Sequence, residues 1–214
     1  VRPYYEALAK KRAQLVGKRC FDVALSTILL VLLSPAFLVL AIAIKLDSPG
    51  PVFYRQERVT QYGKRFRIFK FRTMCDRADQ MGSAVTTGGD ARITRVGAKI
   101  RDYRLDEISQ LIDILRGTMT FVGTRPEVPK YVAAYSPEMM ATLLLPAGVT
   151  STASICFKDE AELLNAAADV DKVYVEDILP QKMEYNLKDV KDFSLPRDVR
   201  TMFETVRAVA KRGD

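Results

Sequence analysis

The chain has 214 residues, enough for one domain with a real core, and it carries a formal net charge of +7. It contains no histidine, so Ser-His-Asp and Cys-His catalysis are excluded, as is every metal site that needs an imidazole ligand. Its three cysteines, Cys20, Cys75 and Cys156, lack the spacing of a zinc site and do not suit a disulfide framework, which favours a reducing cytoplasmic location.

The first predicted element is a long apolar helix between Val23 and Ile44, where the sequence VALSTILLVLLSPAFLVLAIAI contains no charged residue. About 20 apolar residues suffice to cross a bilayer, so the length permits a membrane helix. A cleaved signal peptide fits poorly, because the run is too long and no small-residue cleavage site follows it. A plain spanning helix and a buried core helix are the simpler alternatives.

Two features of this segment favour a helix that returns to the leaflet it came from. Pro35 removes a backbone donor and clashes with the preceding turn, while the hydroxyl of Ser34 can satisfy a freed carbonyl. Both flanks are basic, and the positive-inside tendency places both of them in the cytoplasm. The flanking residues are Arg2, Lys10, Lys11, Arg12, Lys18 and Arg19 before the run and Lys45, Arg55, Arg58, Lys64, Arg65, Arg67, Lys70 and Arg72 after it. We therefore expect a re-entrant helix with a break at Ser34-Pro35.

A β-hairpin is predicted next, from the stretches VFYRQERVT and RFRIFKFRTM on either side of Gly63. Basic residues alternate there with Phe66, Ile68, Phe69 and Phe71, as in an amphipathic hairpin with a solvated basic face. The same mixture recurs where proteins bind phosphates or single-stranded nucleic acid, so a binding role is the alternative. The polar, glycine-rich residues 82–97 suit a mobile connection.

Helical periodicity dominates the remainder of the chain. Apolar residues recur at helical spacing from Ile100 to Leu115 and stop at Gly117, which predicts one helix. Further helices are indicated after Ser136-Pro137, over residues 159–168 and over residues 180–190. The last helix carries one apolar stripe, which we expect to pack on the core. Its members are Val199, Met202, Phe203, Val206, Val209 and Ala210.

Two adjacent carboxylates, Asp106 and Glu107, lie in the helical stretch RLDEISQL. Helical neighbours are about 100° apart, so the two point to different sides and cannot hold one ion unless a substrate completes its shell. One interpretation is a solvated helix face that Arg101 and Arg104 neutralise. The other gives the acids separate duties, in which one attacks a phosphorus atom and the other holds Mg²⁺. Candidate cations for a leaving phosphate are Lys70, Arg72, Arg101 and Arg125.

In this order, the segments resemble a known family, the monotopic phosphoglycosyl transferases, also called bacterial sugar transferases. KRCFDVALSTILLVLLSP resembles their re-entrant helix with its Ser-Pro break, and FRIFKFRTM their Lys-Phe-Arg-Thr-Met strand. ITRVGAKIRDYRLDEISQL is similar to their Leu-Asp-Glu catalytic helix, and GTMTFVGTRPEV to their Gly-Pro-Arg-Pro segment. PAGVTSTASI resembles their Pro-Gly-Ile-Thr-Gly stretch. The resemblance runs from about Lys18 to the end of the chain.

The resemblance implies a two-step exchange in which a phosphosugar moves from a UDP-sugar onto Asp106, with release of UMP, and then onto polyprenol (undecaprenyl) phosphate. Asp106 falls on the family's nucleophile and Glu107 on its Mg²⁺ ligand. The residues implied to lie near the nucleotide and the phosphates are Lys70, Arg72, Arg101 and Arg125. Lys158 falls near an arginine that many members use for phosphate.

Several residues depart from the family's pattern. Ser109 and Thr124 each replace a proline, Ile108 replaces a leucine and Ser151 replaces a glycine. Asn186 stands where many members have an aspartate proposed to assist the acceptor, and an asparagine cannot act as a base. That role is then either dispensable here or moved to Glu184 or Asp189.

The sequence thus predicts an α+β, helix-rich fold with a re-entrant membrane helix, a small β-hairpin and amphipathic helices at the membrane surface. Residues 1–47 would form the basic segment and membrane helix, and residues 48–214 the catalytic region of a single domain. We expect a monotopic enzyme on the cytoplasmic face of the bacterial inner membrane, in contact with phospholipids and without a nucleic-acid partner. The rival interpretation is a membrane-tethered basic binding protein without catalysis.

Overall fold

Helices dominate the computed structural model of the chain, which describes residues 1–76, 78, 90–157, 160 and 169–210. The α-helices of this part are α1 (Arg2–Ala9), α2 (Arg12–Asp47), α3 (Arg95–Asp102), α4 (Leu111–Arg116), α5 (Pro129–Val132), α6 (Thr152–Cys156), α7 (Val170–Val173), α8 (Leu179–Lys191) and α9 (Leu195–Ala210). Shorter helical turns are the 3₁₀ segments Gln61–Gly63, Leu105–Gln110 and Met139–Leu144 and the π turn Tyr174–Ile178. The strands are β1 (Phe53–Val59), β2 (Arg65–Phe71), β3 (Met119–Val122) and β4 (Ala147–Thr150).

The strands of the described residues form two separate two-stranded sheets. The predicted hairpin is confirmed, because β1 pairs with β2 in antiparallel register from Phe53↔Phe71 to Val59↔Arg65. Its turn places Tyr62 and Gly63 in the left-handed region, at φ 59° and 73°. The second sheet is parallel and joins β3 to β4. The two sheets bring distant parts of the chain against the same helices.

The apolar helix α2 is continuous over 36 residues, and Pro35 lies within it. The Ser34 hydroxyl donates to the carbonyl of Val31 at 2.8 Å. Pro35 has no amide hydrogen to donate to this carbonyl, so the serine provides the hydrogen bond that the sequence predicts. The helix is therefore not interrupted at Ser34-Pro35, and a bend there remains a prediction. By length and composition, α2 is the one helix in the described part of the chain that could cross a membrane.

Both ends of α2 contact the same body of the protein. Near its start, Lys18 donates to the Val122 carbonyl at 2.9 Å, and Asp22 accepts from the Thr120 hydroxyl at 2.7 Å. At its end, Asp47 accepts from the Val96 amide at 2.9 Å. The opposite face is apolar and exposed at Ile28, Val31, Leu32, Leu38, Val39, Ile42 and Leu46. The helix thus has one protein-facing side and one side without protein partners among the described residues.

The single helix predicted from Ile100 to Leu115 is wrong in one respect, because α3 and α4 are separated by a turn. Arg104 has φ 52° and ψ 27°, a left-handed conformation that ends α3 and redirects the chain into the 3₁₀ segment Leu105–Gln110. The segment after Ser136-Pro137 is likewise a 3₁₀ helix, at Met139–Leu144. The helix predicted over 180–190 is confirmed as α8.

Two other predicted segments lie outside the described residues: the helix over 159–168, apart from residue 160, and the first part of the glycine-rich connection, residues 82–89.

The apolar stripe of α9 packs on the core only in part. Val199 and Met202 are half-buried, but Phe203 and Val206 are each 67% exposed. Thr201 is buried, and the Thr205 and Thr150 hydroxyls lie 2.8 Å apart. The side of α9 that carries these threonines therefore faces the protein, and the side that carries Phe203 and Val206 does not.

Candidate active site

Lys70 of β2 joins the two adjacent carboxylates. Its Nζ lies 3.1 Å from Oδ2 of Asp106 and 3.1 Å from Oε1 of Glu107. The two acids stand on a 3₁₀ segment rather than on an α-helix, and both reach the same cation despite being neighbours in sequence. The side chains of both acids are mostly buried, with 13% and 15% of their surface exposed. The acids therefore form one site with the lysine rather than a solvated helix face.

Ser109 ties the segment that carries the acids to the strand that carries the lysine. Its hydroxyl is buried and donates to the carbonyl of Phe69 at 3.1 Å, with the Asp106 carbonyl also within 3.2 Å. The amide of Phe69 donates in turn to Oδ2 of Asp113 at 2.8 Å. The backbone amide and the backbone carbonyl of Phe69, the residue before Lys70, are thus both held by side-chain hydrogen bonds. Serine at this position supplies a side-chain hydrogen bond that the family's proline lacks.

Arg125 forms a two-pronged ion pair with Glu107. One guanidinium nitrogen bonds Oε1 of Glu107 and the other lies 3.3 Å from Oε2. Burial alone would raise the pKa of Glu107, but the charges of Arg125 and Lys70 outweigh it and hold that pKa well below its usual range. Glu107 is therefore ionised and already neutralised by two cations. The predicted grouping of Lys70, Asp106, Glu107 and Arg125 is present in the structure.

The loop that carries Arg125 is fixed from both sides. The Val59 amide donates to the Glu127 carbonyl at 3.0 Å, and Arg58 donates to the Pro126 carbonyl at 3.0 Å. On the other side, the Gly148 amide donates to the Thr124 carbonyl at 2.8 Å. These main-chain bonds fix the position of a loop in which Thr124 replaces the family's proline.

A buried polar cluster behind Arg125 was not found from the sequence. The Tyr174 hydroxyl donates to the Glu127 carboxylate at 2.6 Å, and Lys182 donates to Glu160 at 2.8 Å and to the Tyr174 oxygen at 3.0 Å. Burial and the neighbouring acids raise the pKa of Tyr174, so the hydroxyl stays a donor. The cluster joins α8 to the Arg125 loop. In the sequence, the one indication of this cluster was Glu127, the acidic residue directly after Arg125-Pro126.

Arg72 is directed away from the two carboxylates, contrary to the expectation. Its buried guanidinium donates to the Ser48 carbonyl at 2.8 Å, to the Ile44 carbonyl and to that of Pro49, at the end of α2. It therefore holds the end of the apolar helix α2 against β2. Arg101 donates from Nε to the Thr73 hydroxyl at 2.9 Å, which places it beside the end of the same hairpin.

Asn186 lies inside α8 and is not brought to the carboxylates by any contact among the described residues. Its side chain is 3% exposed; Nδ2 lies 3.8 Å from the Met183 sulfur, and Oδ1 has no partner in this part of the chain. Neither possible substitute has a contact with the carboxylates among the described residues: Glu184 is exposed, and Asp189 pairs with Arg197 at 2.9 Å. Lys158 lies outside the described residues.

An apolar cavity of about 310 Å³ adjoins the Glu107–Arg125 pair. Its wall comes from α2, the turn after α3, α4, β3, β4, α6 and α9. The lining residues are Leu29, Leu33, Arg104, Glu107, Ile108, Leu111, Ile114, Phe121, Arg125, Val149, Thr150, Ser154, Ile155, Thr205 and Ala208. The sequence could not reveal this cavity, because its lining is spread from residue 29 to residue 208.

The described residues contain no group of three or more potential metal ligands. A Mg²⁺ ion needs only one or two carboxylates when waters and substrate phosphate oxygens complete its octahedral shell. Glu107 meets that requirement with Asp106 close by, since an oxygen of each carboxylate lies 3.1 Å from one cation, the Lys70 ammonium. The pair therefore fits a Mg²⁺ ion whose remaining ligands come from a bound diphosphate and water. It does not fit an ion that protein ligands alone would hold.

Replacing Arg125 by lysine should impair turnover although the charge is kept. Lysine cannot make the two parallel bonds that the guanidinium makes, and a charged hydrogen bond contributes roughly 1.5–3 kcal/mol. For the reaction that the family resemblance implies, we expect kcat/KM to fall roughly 10- to 100-fold, measured by release of UMP. Arg65→Lys, at an exposed ion pair with Glu57, is the matched control and should behave as wild type. Wild-type kinetics in the Arg125 variant would remove this residue from the site.

Comparison with known proteins identifies the family of the chain. The family model described as bacterial sugar transferase matches residues 13–212. The UDP-N-acetylgalactosamine-undecaprenyl-phosphate N-acetylgalactosaminephosphotransferase of Aeromonas hydrophila is 36% identical over 195 residues, which cover 90% of this chain and 43% of that protein. The UDP-glucose:undecaprenyl-phosphate glucose-1-phosphate transferases of Caulobacter vibrioides and Escherichia coli are 35% and 32% identical, with 88% of this chain covered in each case. The chain spans 68% of the Caulobacter protein and 39% of the Escherichia protein.

Proposed function

Since the chain belongs to the bacterial sugar transferase family, we propose that it moves a phosphosugar from a UDP-sugar to polyprenol (undecaprenyl) phosphate. The observation that carries this proposal is the cluster in which Lys70 bridges Asp106 and Glu107 while Arg125 grips Glu107. Two acids and two cations, mostly buried, suit a reaction at an anionic diphosphate. The similar proteins are named for different sugars, so the proposal specifies the UDP-sugar class.

In the first step, a carboxylate oxygen of Asp106 attacks the phosphorus that bears the sugar. The bond from that phosphorus to the bridging oxygen breaks, and the bridging oxygen leaves with UMP. In the second step, a phosphate oxygen of the acceptor attacks the same phosphorus, and the bond to Asp106 breaks. The products are the polyprenol diphosphate sugar and the free carboxylate, which balances the exchange.

The contacts support Asp106 rather than Glu107 as the attacking group. Glu107 is engaged by both prongs of Arg125 and by Lys70, so neither of its oxygens is available without breaking an ion pair. Asp106 has an ion pair with Lys70 alone among the described residues. The lysine also reduces repulsion between this carboxylate and the incoming diphosphate.

Mg²⁺ is the cofactor that this proposal includes. Glu107 would hold the ion next to Asp106, and the ion would neutralise charge on the diphosphate. Glu107 is paired with both Lys70 and Arg125, so holding the ion would require one of these ion pairs to weaken. The planar fork of Arg125 would suit a substrate phosphate oxygen.

We also infer that the protein is monotopic, with α2 re-entrant and the catalytic body on the cytoplasmic face of the inner membrane. Lys18 and Asp47, near opposite ends of α2, contact the same body, which a straight span with that body on one side would not permit. Ser34, Pro35 and Ala36 are all exposed, as residues at the deepest point of a bent helix would be. The apolar outer face of α2 would contact phospholipid tails.

Cysteine labelling tests this topology. Single cysteines at Arg12 and Tyr62, both exposed, should be equally protected from a membrane-impermeant thiol reagent in intact cells and equally reactive after lysis. Pro35→Ala should relax the bend and let a fraction of the molecules span, since it restores a backbone donor in a run long enough to cross. Labelling of one position but not the other in intact cells would contradict the re-entrant arrangement.

Release of UMP across a panel of UDP-sugars, with and without polyprenol phosphate, tests the reaction. We expect at least one UDP-sugar to give catalytic UMP release and a polyprenol diphosphate sugar when the acceptor is present. A panel that gives no UMP, together with strongly salt-dependent binding of nucleic acid that is insensitive to Asp106 substitution, would support the rival basic binding protein instead.

A further inference from the structure

The apolar cavity beside Glu107 and Arg125 is matched to only one of the two proposed substrates. Its walls are aliphatic or aromatic over most of their area, with Leu29, Leu111 and Phe121 as examples. A uridine or a sugar placed there would face mostly apolar side chains, so part of its hydroxyl and amide groups would lack hydrogen-bond partners, which is unfavourable. An isoprenoid chain has no such groups. The wall that α2 contributes also lies in the helix that would contact lipid, so a chain can enter without crossing water.

Arg104 supplies a cation at the end of this cavity that the ion pairs of the site leave unused. It lines the cavity together with Glu107 and Arg125, and its exposed side chain has no hydrogen bond or ion pair within the described parts of the chain. Lys70 and Arg125, by contrast, are both bound to carboxylates. Arg104 is therefore available for an anion held in the cavity, beside Glu107, the neighbour of Asp106 in sequence.

The backbone of Arg104 gives an independent reason to assign a role to its side chain. The residue is in the left-handed conformation at φ 52°, where glycine or asparagine is favoured and other residues are strained. Its amide donates to the Arg101 carbonyl at 2.9 Å, so the conformation is what ends α3. Glycine would make this turn more easily. An arginine at a position suited to glycine indicates that the guanidinium is needed there.

We propose that the cavity holds the first isoprene units of the acceptor lipid and that Arg104 binds the acceptor's phosphate. The inference rests on the proposed function and deepens it by assigning the second substrate to its own surface. At about 310 Å³ the cavity is at the lower end of the range for ligand pockets, so only the phosphate end of a long chain fits inside. The remainder of the chain would run along the exposed face of α2.

This arrangement serves the second step. Arg104 holds the acceptor phosphate so that one of its oxygens attacks the phosphorus of the aspartyl-phosphosugar, and the bond from that phosphorus to the Asp106 oxygen breaks. The cation offsets the repulsion between two phosphates that meet at one point. The first step does not use Arg104, so the two half-reactions should respond differently to its loss.

Filling the cavity tests the chain's location. Ala208→Trp places a large ring in the cavity, whereas Arg207→Trp places the same ring on the exposed side of α9. We expect Ala208→Trp to lower kcat/KM for polyprenol phosphate roughly tenfold or more, with the single UMP per enzyme released from UDP-sugar alone unchanged. Arg207→Trp should match wild type in both assays. Equal loss of both half-reactions in Ala208→Trp would place the donor in the cavity and overturn the assignment.

Arg104→Gly tests the phosphate contact and separates it from a structural role. The variant relieves the strained backbone, so its melting temperature should equal or exceed that of wild type. Its kcat/KM for the acceptor should fall roughly 10- to 100-fold, the effect of one charged hydrogen bond, while UMP release without acceptor persists. Arg104→Lys should recover part of the loss, and Arg95→Ala, at an exposed cation of α3, should be neutral.

Wild-type use of the acceptor by Arg104→Gly would overturn the role of this residue. The outcome is distinguishable from failure of the proposed function, because that failure would appear in the wild-type enzyme as the absence of any UMP from every UDP-sugar.

Discussion

Replacing Asp106 by asparagine should abolish both turnover and the phosphosugar adduct. The amide has the same shape as the carboxylate, so Lys70, 3.1 Å from Oδ2 in the wild type, keeps a polar neighbour. An amide is nevertheless a poor nucleophile, and loss of a covalent nucleophile lowers kcat by factors of about 10⁴ or more. The expected result is no UMP above background in a single-turnover assay and no gain in protein mass.

Asp102→Asn is the matched control for this variant. Asp102 is exposed at the end of α3, four residues from Asp106, and it has no ion pair within the residues that the structure describes. We expect it to retain wild-type turnover. Both variants should fractionate with the membrane to the same extent, because α2 is unaltered. Residual adduct in Asp106→Asn would mean that another group is the nucleophile.

Glu107→Gln should reduce both turnover and stability. The change removes the charge that neutralises Arg125, and breaking a fully buried ion pair costs about 3–5 kcal/mol. Because the Arg125 side chain keeps 36% of its surface exposed, solvent screens part of this, and we expect a loss of about 1–3 kcal/mol in the free energy of unfolding. Turnover should fall at least about 100-fold and require a higher Mg²⁺ concentration, because the proposed metal ligand is weakened.

The pH dependence of stability offers a second measurement on the same pair. Ion pairs lower the pKa of Glu107 in the folded protein, so their contribution is complete above the unfolded value of about 4.3. It declines as the pH falls below that value and is lost once the pH has fallen through the lowered, folded pKa. The stability difference between wild type and Glu107→Gln should therefore be constant near neutral pH and shrink in acid. Glu57→Gln, at an exposed pair, is the control; an equal effect there would contradict the account of Glu107.

The elements that the sequence predicted well are those whose signals are local. The apolar run and the hairpin follow from uninterrupted hydrophobicity and from alternation around Gly63, and each can be recognised without knowing its partner. The grouping of Lys70, Asp106, Glu107 and Arg125 also followed from the sequence, because each residue lies in a short motif that the family resemblance assigns to one site.

The sequence did not predict the orientation of Arg72 or the turn at Arg104, because both depend on the residue at which a strand or a helix ends. Residues two apart on a strand share a face, so Arg72 would lie beside Lys70 if β2 continued, but the strand ends at Phe71 and the arginine turns to α2. Helical spacing from Ile100 to Leu115 gave no sign of the left-handed Arg104, because an arginine is compatible with a helix interior. The apolar cavity required the tertiary structure.

Mass spectrometry of the trapped enzyme tests whether the phosphosugar is carried covalently on Asp106. The enzyme is mixed with its UDP-sugar in the absence of polyprenol phosphate, quenched and digested, and the modified peptide is sequenced. We predict a mass increase of one phosphosugar on the peptide that contains Asp106, in an amount equal to the UMP released. An adduct on any other residue, or UMP that appears only when both substrates are bound, would contradict the account.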